Sequence, residues 1–168
     1  MDKLTPGTNP PEKINVVIEI PEGSRIKYEL DKKSNMLFVD RFAFTTMGYP
    51  ANYGFIPKSS AEDGDPIDVL VLASQSVHPG TVIECRPVGM LEMEDEEGID
   101  TKIIAVPVEK VDPFMSHIKN ISDITDSIKN KIRHFFEHYK ELEPGKWVKL
   151  KEWRSKEEAE SAIRESLQ

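Results

Sequence analysis

Of the 168 residues only one is cysteine, Cys85, so no internal disulfide can form and a reducing, cytoplasmic setting is expected. Long apolar runs are also missing. The longest, Val69–Ala73, has five residues, against the ~20 that a membrane-spanning helix needs. The opening stretch, MDKLTPGTNPPEK, lacks the apolar core of a secretory signal, and none is expected. Positive charge is in deficit: 22 Lys+Arg face 30 Asp+Glu, a net of −8. That balance argues against a nucleic-acid backbone as partner. No internal repeat, low-complexity tract or Gly/Ser linker divides the chain. A single domain over residues 1–168 is expected, with the Pro-rich residues 1–12 as an extended lead-in.

What is present is a series of short β-branched runs separated by turn residues: Ile14–Ile20, Arg25–Leu30, Met36–Val39, Ile67–Ala73, Thr81–Met93 and Ile99–Val106. Their composition and partial alternation predict strands. Pro87 predicts a bulge or break, because proline cannot donate to a ladder. The final third changes period. Ile124, Ile128, Ile132, Phe135, Tyr139 and Leu142 recur at helical spacing, with Pro144-Gly145 as the expected stop. A strand at Trp147–Leu150 should lead into a helix opened by the capping box Ser155-x-x-Glu158, which would bury Ala159, Ala162, Ile163 and Leu167. Strands first and helices last predict an α+β fold, a small barrel or curved sheet packed against helices.

Charge sits inside these strands. Alternation sends Lys27 and Glu29 to the face opposite Ile26, Tyr28 and Leu30, and Glu19 to the face opposite Ile18 and Ile20. Asp100 and Lys102 share a face with Ile104 and Val106. A solvated sheet face accounts for any one strand; three behaving alike also suit a polar cavity.

The strongest local signal is Asp63-Gly64-Asp65-Pro66-Ile67-Asp68, three carboxylates in six residues at a loop-to-strand junction. An EF-hand would need Gly and Glu where this loop has Asp68 and Ser74. A second acidic turn, Asp95-Glu96-Glu97, precedes Asp100. Each turn taken alone suits a solvated tip. Two carboxylates 4 Å apart repel by about 1 kcal/mol in water and by ~4 kcal/mol at an effective dielectric of 20. Gathering Asp63, Asp65, Asp68, Asp95 and Asp100 into one cleft therefore calls for cations, and all-oxygen ligands make Mg²⁺ the natural one.

His134-Phe135-Phe136-Glu137-His138 matches the H-x-x-E-H pattern of a zinc peptidase family. No third ligand is nominated, and the two histidines lie with Ser127, Lys131 and Glu141 on the polar side of the helix. A surface or subunit-contact role fits them better. The other alternative is an OB-fold oligonucleotide binder, which the acidic balance opposes.

VVIEIP (Val16–Pro21), IKYELD (Ile26–Asp31), FVDRF (Phe38–Phe42), YPANYGFIP (Tyr49–Pro57), DGDPIDVLV (Asp63–Val71), CRPVG (Cys85–Gly89), DEEGIDTK (Asp95–Lys102) and HFFEHYKELE (His134–Glu143) follow in order along the chain. Together they resemble the family I soluble inorganic pyrophosphatases of the prokaryotic type. The resemblance implies an OB-like closed five-stranded β-barrel with flanking C-terminal helices, assembled as a homohexamer. It also implies Mg²⁺-dependent hydrolysis of pyrophosphate. By residue, it implies metal-binding roles for Asp63, Asp68, Asp95 and Asp100, with Glu19 and Glu29 reaching metals or their waters. It makes Asp65 the general base on the attacking water, and Lys27, Arg41, Tyr53, Lys102, Tyr139 and Lys140 the groups that bind the phosphates. Taken without it, Arg41 is also an ordinary surface charge and Tyr139 a residue of the helix's core stripe.

Overall fold

The computed structural model describes residues 4–61 and 64–167. Five strands close into a ring: β1 (Ile14–Ile20), β4 (Asn52–Phe55), β5 (Asp68–Val71), β8 (Lys102–Pro107) and β6 (Val82–Asp95), which returns to β1. All neighbours are antiparallel except β5 and β8. β6 is the longest element, and its far end also pairs with β7 (Gly98–Ile99) and β9 (Val148–Arg154). β2 (Ile26–Asp31) and β3 (Met36–Phe42) form a hairpin with no ladder to the rest. Helices α1 (Asp126–His138) and α2 (Lys156–Ser166) complete the chain. The α+β class and the closed five-strand arrangement are those expected.

Two apolar layers lie on opposite faces of the sheet. Leu70, Leu72, Ile104 and Val106 join Ile132, Phe135 and Phe136 of α1. Their strand neighbours Val69, Val71, Ile103 and Ala105 join Ala159 and Ile163 of α2. β5 and β8 are therefore covered on both sides, which is why their sequences are continuous apolar runs rather than alternating ones. Each helix is fixed at its start by a side chain: Thr125 accepts from Ile128 N, and Ser155 and Glu158 form the expected capping box. The register also shifts between Pro87 and Gly89, as the proline foretold.

Several boundaries differ from expectation. β4 is not among the predicted strands, because Gly54 lowers its β-propensity. A Cβ there would collide with the Val17 carbonyl, so the close crossing of β1 and β4 requires glycine. The Ile99–Val106 run is divided between β7 and β8, with Asp100 and Thr101 outside both. β3 extends through the charged Asp40 and Arg41. α1 ends at His138, well before Pro144-Gly145. The predicted apolar face is correspondingly shorter: Ile124 precedes the helix and Leu142, beyond it, is 61% exposed. Of the residues α2 was expected to bury, Ala159 and Ile163 are buried, while Ala162 and Leu167 are partly exposed.

Candidate active site

A cavity of about 680 Å³ opens between the hairpin, the β4–β5–β8 wall and the end of α1. It is lined by twelve of the thirteen residues singled out from the sequence: Glu19, Lys27, Glu29, Arg41, Tyr53, Asp65, Asp68, Asp95, Asp100, Lys102, Tyr139 and Lys140. Asp63, the thirteenth, lies outside the described residues.

The central cluster follows from strand register. Asp68 and Lys102 are the first residues of two parallel neighbours and stand side by side. Lys102 Nζ donates to Asp68 Oδ2 at 2.5 Å and to Tyr53 OH at 3.1 Å, and it also pairs with Asp100. Tyr53 OH donates to the same Asp68 oxygen at 2.6 Å. The Lys102 side chain is only 3% exposed. Burial by itself would strip its proton, but Asp68 and Asp100 outweigh that and push its pKa up. An ammonium so enclosed is tolerable because two carboxylates face it. Burial holds the Tyr53 phenol protonated, and the neighbouring acids reinforce it, so Tyr53 serves as a hydrogen-bond donor.

Glu19 is placed by a bulge. The β1–β4 register shifts between Ile18 and Ile20, leaving Glu19 as the extra residue. Bulges re-aim side chains in this way. Its Oε1 accepts from Leu30 N of the hairpin at 2.7 Å. Burial, together with the nearby charges of Asp68 and Glu29, raises its pKa to about 7 despite that bond. A second bulge, at Asp40, puts Lys27 opposite Arg41 on the hairpin. Asp40 binds both, at 3.4 Å and 2.7 Å respectively, and Arg41 also pairs with Glu143.

At the far wall, Asp95 accepts from Lys140 Nζ at 2.6 Å and from Glu97 N at 2.9 Å. Lys140 follows Tyr139, the C-cap of α1, whose ring stacks on Phe135 at 5.1 Å. The helix stops here: Tyr139 packs with Phe135 and Phe136 on the apolar face, as expected, and also lines the cavity beside Lys140. The sequence reading did not single out Tyr49, Lys32 or Lys146, which also line the cavity. Tyr49, in the Tyr49–Pro57 motif, packs edge-on to Tyr53 with centroids 5.3 Å apart.

Among the described residues no three His, Cys, Asp or Glu side chains form a group that could hold an ion. The acids that line the cavity nonetheless offer only oxygen, the donor a hard divalent cation takes, and burial with the like charges of Asp68 and Glu29 raises the Glu19 pKa where no cation offsets them. His134 and His138 lie apart from the cavity, their rings 4.7 Å apart, with His138 bound to Glu141 at 3.0 Å and Glu137 to Arg133 at 3.7 Å. Glu137 and His138 are thus paired with residues outside the H-x-x-E-H motif, Arg133 and Glu141.

Acids that can hold cations therefore face Lys27, Arg41, Lys102, Lys140 and Lys146, which can hold a polyanion. The family model described as inorganic pyrophosphatase matches residues 16–168. An inorganic pyrophosphatase of Aquifex pyrophilus is 61% identical over 165 residues, 98% of this chain and 93% of the relative. One of Saccharolobus solfataricus is 57% identical over 166 residues, 99% of this chain and 96% of the relative. The crystal structure of an inorganic pyrophosphatase from Thermus thermophilus superposes with a TM-score of 0.95 at 45% identity, covering 98% of this chain and 94% of that one.

Proposed function

The chain belongs to the inorganic pyrophosphatase family, and from that premise we propose that it hydrolyses pyrophosphate to two orthophosphates with Mg²⁺, by direct attack of water on phosphorus. The observation that carries this reading is the gathering of twelve dispersed residues, acids and bases alike, on one cavity.

In the proposed mechanism, Asp68, Asp100, Asp95 and Asp63 would hold the ions, and Glu19 and Glu29 would reach them or their waters. When bound, Mg²⁺ would supply charge neutralisation and lower the pKa of a water it holds. Asp65 accepts the proton of the attacking water. Lys27, Arg41, Lys102 and Lys140 bind the phosphate oxygens and stabilise charge on the leaving orthophosphate as the bridging P–O bond breaks. Arg41 offers a planar fork of donors where lysine offers a point charge, and Tyr53 and Tyr139 add neutral O–H donors.

The reading includes a cytoplasmic homo-oligomer, a hexamer by resemblance, with His134 and His138 at a contact between copies. None of the helices among the described residues is long and apolar enough to cross a membrane. The test is orthophosphate release from pyrophosphate by the purified protein. Release is expected with Mg²⁺, and chelation should abolish it. No release with Mg²⁺, or undiminished release after chelation, would overturn the reading.

A further inference from the structure

Arg41 stands on β3, in a hairpin that has no ladder to the ring. A long side chain on such a support has many rotamers open to it, yet two of its nitrogens are held. Nε donates to Asp40 Oδ2 at 2.7 Å, within the hairpin. Nη1 donates to Glu143 Oε1, across the cavity and 102 positions along the chain.

Glu143 is itself fixed. It lies in the turns that follow α1, where its N donates to Lys140 O at 2.9 Å and its carbonyl accepts from Lys146 N at 3.2 Å. Its side chain is 12% exposed, against 38% for Arg41, and both line the cavity. The contact thus joins the hairpin wall to the segment that carries Tyr139 and Lys140.

A carboxylate in this place can act on Arg41 in two opposite ways. As a competitor it takes donors that a phosphate needs, and its removal tightens binding. As a strut it holds the guanidinium plane, and its removal weakens binding. The geometry favours the strut. The guanidinium has more N–H groups than these two contacts use, and Nη2 is bound by neither acid. Two contacts on different nitrogens set the plane of a rigid fork. Ordering a long side chain before the substrate arrives removes part of the cost of binding.

We propose that Glu143 is a positioning residue for the reaction, orienting the Arg41 guanidinium for the phosphate it grips. The proposal rests on the reading of Arg41 as a phosphate-binding group. Glu143 acts through Arg41, so its effect belongs in KM and vanishes when Arg41 is absent.

The experiment compares wild type, Glu143→Met, Glu143→Gln, Arg41→Ala and the Glu143→Met, Arg41→Ala double variant at saturating Mg²⁺, measuring kcat and KM for pyrophosphate. Methionine fills the space without an acceptor; glutamine keeps an acceptor without the charge. Glu143→Met should raise KM about threefold, the cost of ordering one side chain on binding, without a comparable change in kcat. Glu143→Gln should recover most of the loss. In the Arg41→Ala background, Glu143→Met should cost nothing further. An unchanged or lowered KM in Glu143→Met, a fall in kcat alone, an equal loss in Glu143→Gln, or the same penalty in both backgrounds would each overturn the proposal. A wild-type KM in Arg41→Ala would instead overturn the phosphate-binding reading of Arg41, and the role of Glu143 with it. Circular dichroism and the melting temperature separate these outcomes from misfolding, and should Glu143→Met fail to fold, Glu143→Ala carries the same expectation.

Discussion

The cavity has two unlike walls. One is made of β4, β5 and β8, strands buried on both faces, and it carries Tyr53, Asp68 and Lys102 in fixed register. The other is the β2–β3 hairpin, a sheet of its own with no ladder to the ring. It carries Lys27, Glu29 and Arg41 among exposed residues such as Phe38 and Phe42. The buried wall sets the Asp68 carboxylate against the enclosed Lys102 ammonium, which also pairs with Asp100, and burying these charges is tolerable only while the register keeps them paired. The hairpin wall holds long cationic side chains whose reach tolerates movement, and two-stranded ribbons are only marginally stable alone. Asp68 thus falls on the buried wall, and Lys27 and Arg41, two of the four cations proposed to bind the phosphates, fall on the hairpin.

The largest effect should come from breaking the buried wall. Lys102→Met leaves Asp68 and Asp100 without their shared cation, and a loss of ~3–5 kcal/mol of stability is expected, read by chemical denaturation. A loss within ~0.5 kcal/mol, ordinary for surface substitutions, would mean that the cluster is not held as a unit.

Asp68→Ala should come next. Removing a ligand should lower the rate on the order of 10²-fold and move the Mg²⁺ titration to higher concentration. An unchanged titration midpoint would remove Asp68 from the proposed ligand set.

The hairpin should respond differently. Lys27→Ala or Arg41→Ala should raise KM about tenfold, the loss of one charge-assisted contact, with stability left within ~0.5 kcal/mol. A collapse of stability in either variant would erase the distinction between the walls.

The smallest chemical effect is expected away from both. Replacing His134 and His138 together with Ala should shift sedimentation towards smaller species before it alters turnover. An intact assembly with lost activity would reverse that assignment.

Much of the site was legible in the chain because charge inside an apolar strand has few purposes. Lys102 beside Ile103 and Ile104, and Glu19 between Ile18 and Ile20, stood out as charge interleaved with apolar residues, which suits a solvated sheet face or a polar cavity; the structure puts both on the cavity. The ordered motifs carried the family. Other features were out of reach of local pattern. Tyr139 has helical spacing and packs on the core face as it reads, but that it also caps α1 and lines the cavity with Lys140 is not visible in the spacing. Lys32 has nothing in its neighbourhood to separate it from Lys33; only the fold brings Asp65 to it, 33 positions away. β4 was hidden because Gly54 answers a demand made by Val17.

By itself, the amino-acid order determined the class of the fold, the runs of apolar residues covered on both faces, the capping of α2 and the set of groups able to meet cations and a polyanion. These depend on periodicity, propensity and side-chain chemistry, which are properties of neighbours in the chain. The tertiary structure alone decided which acid faces which base, because that is settled by strand register, by the two bulges that turn Glu19 and offset Asp40, and by the end of α1. Electrostatic interaction falls off with distance in space, and distance in space is what sequence separation leaves open.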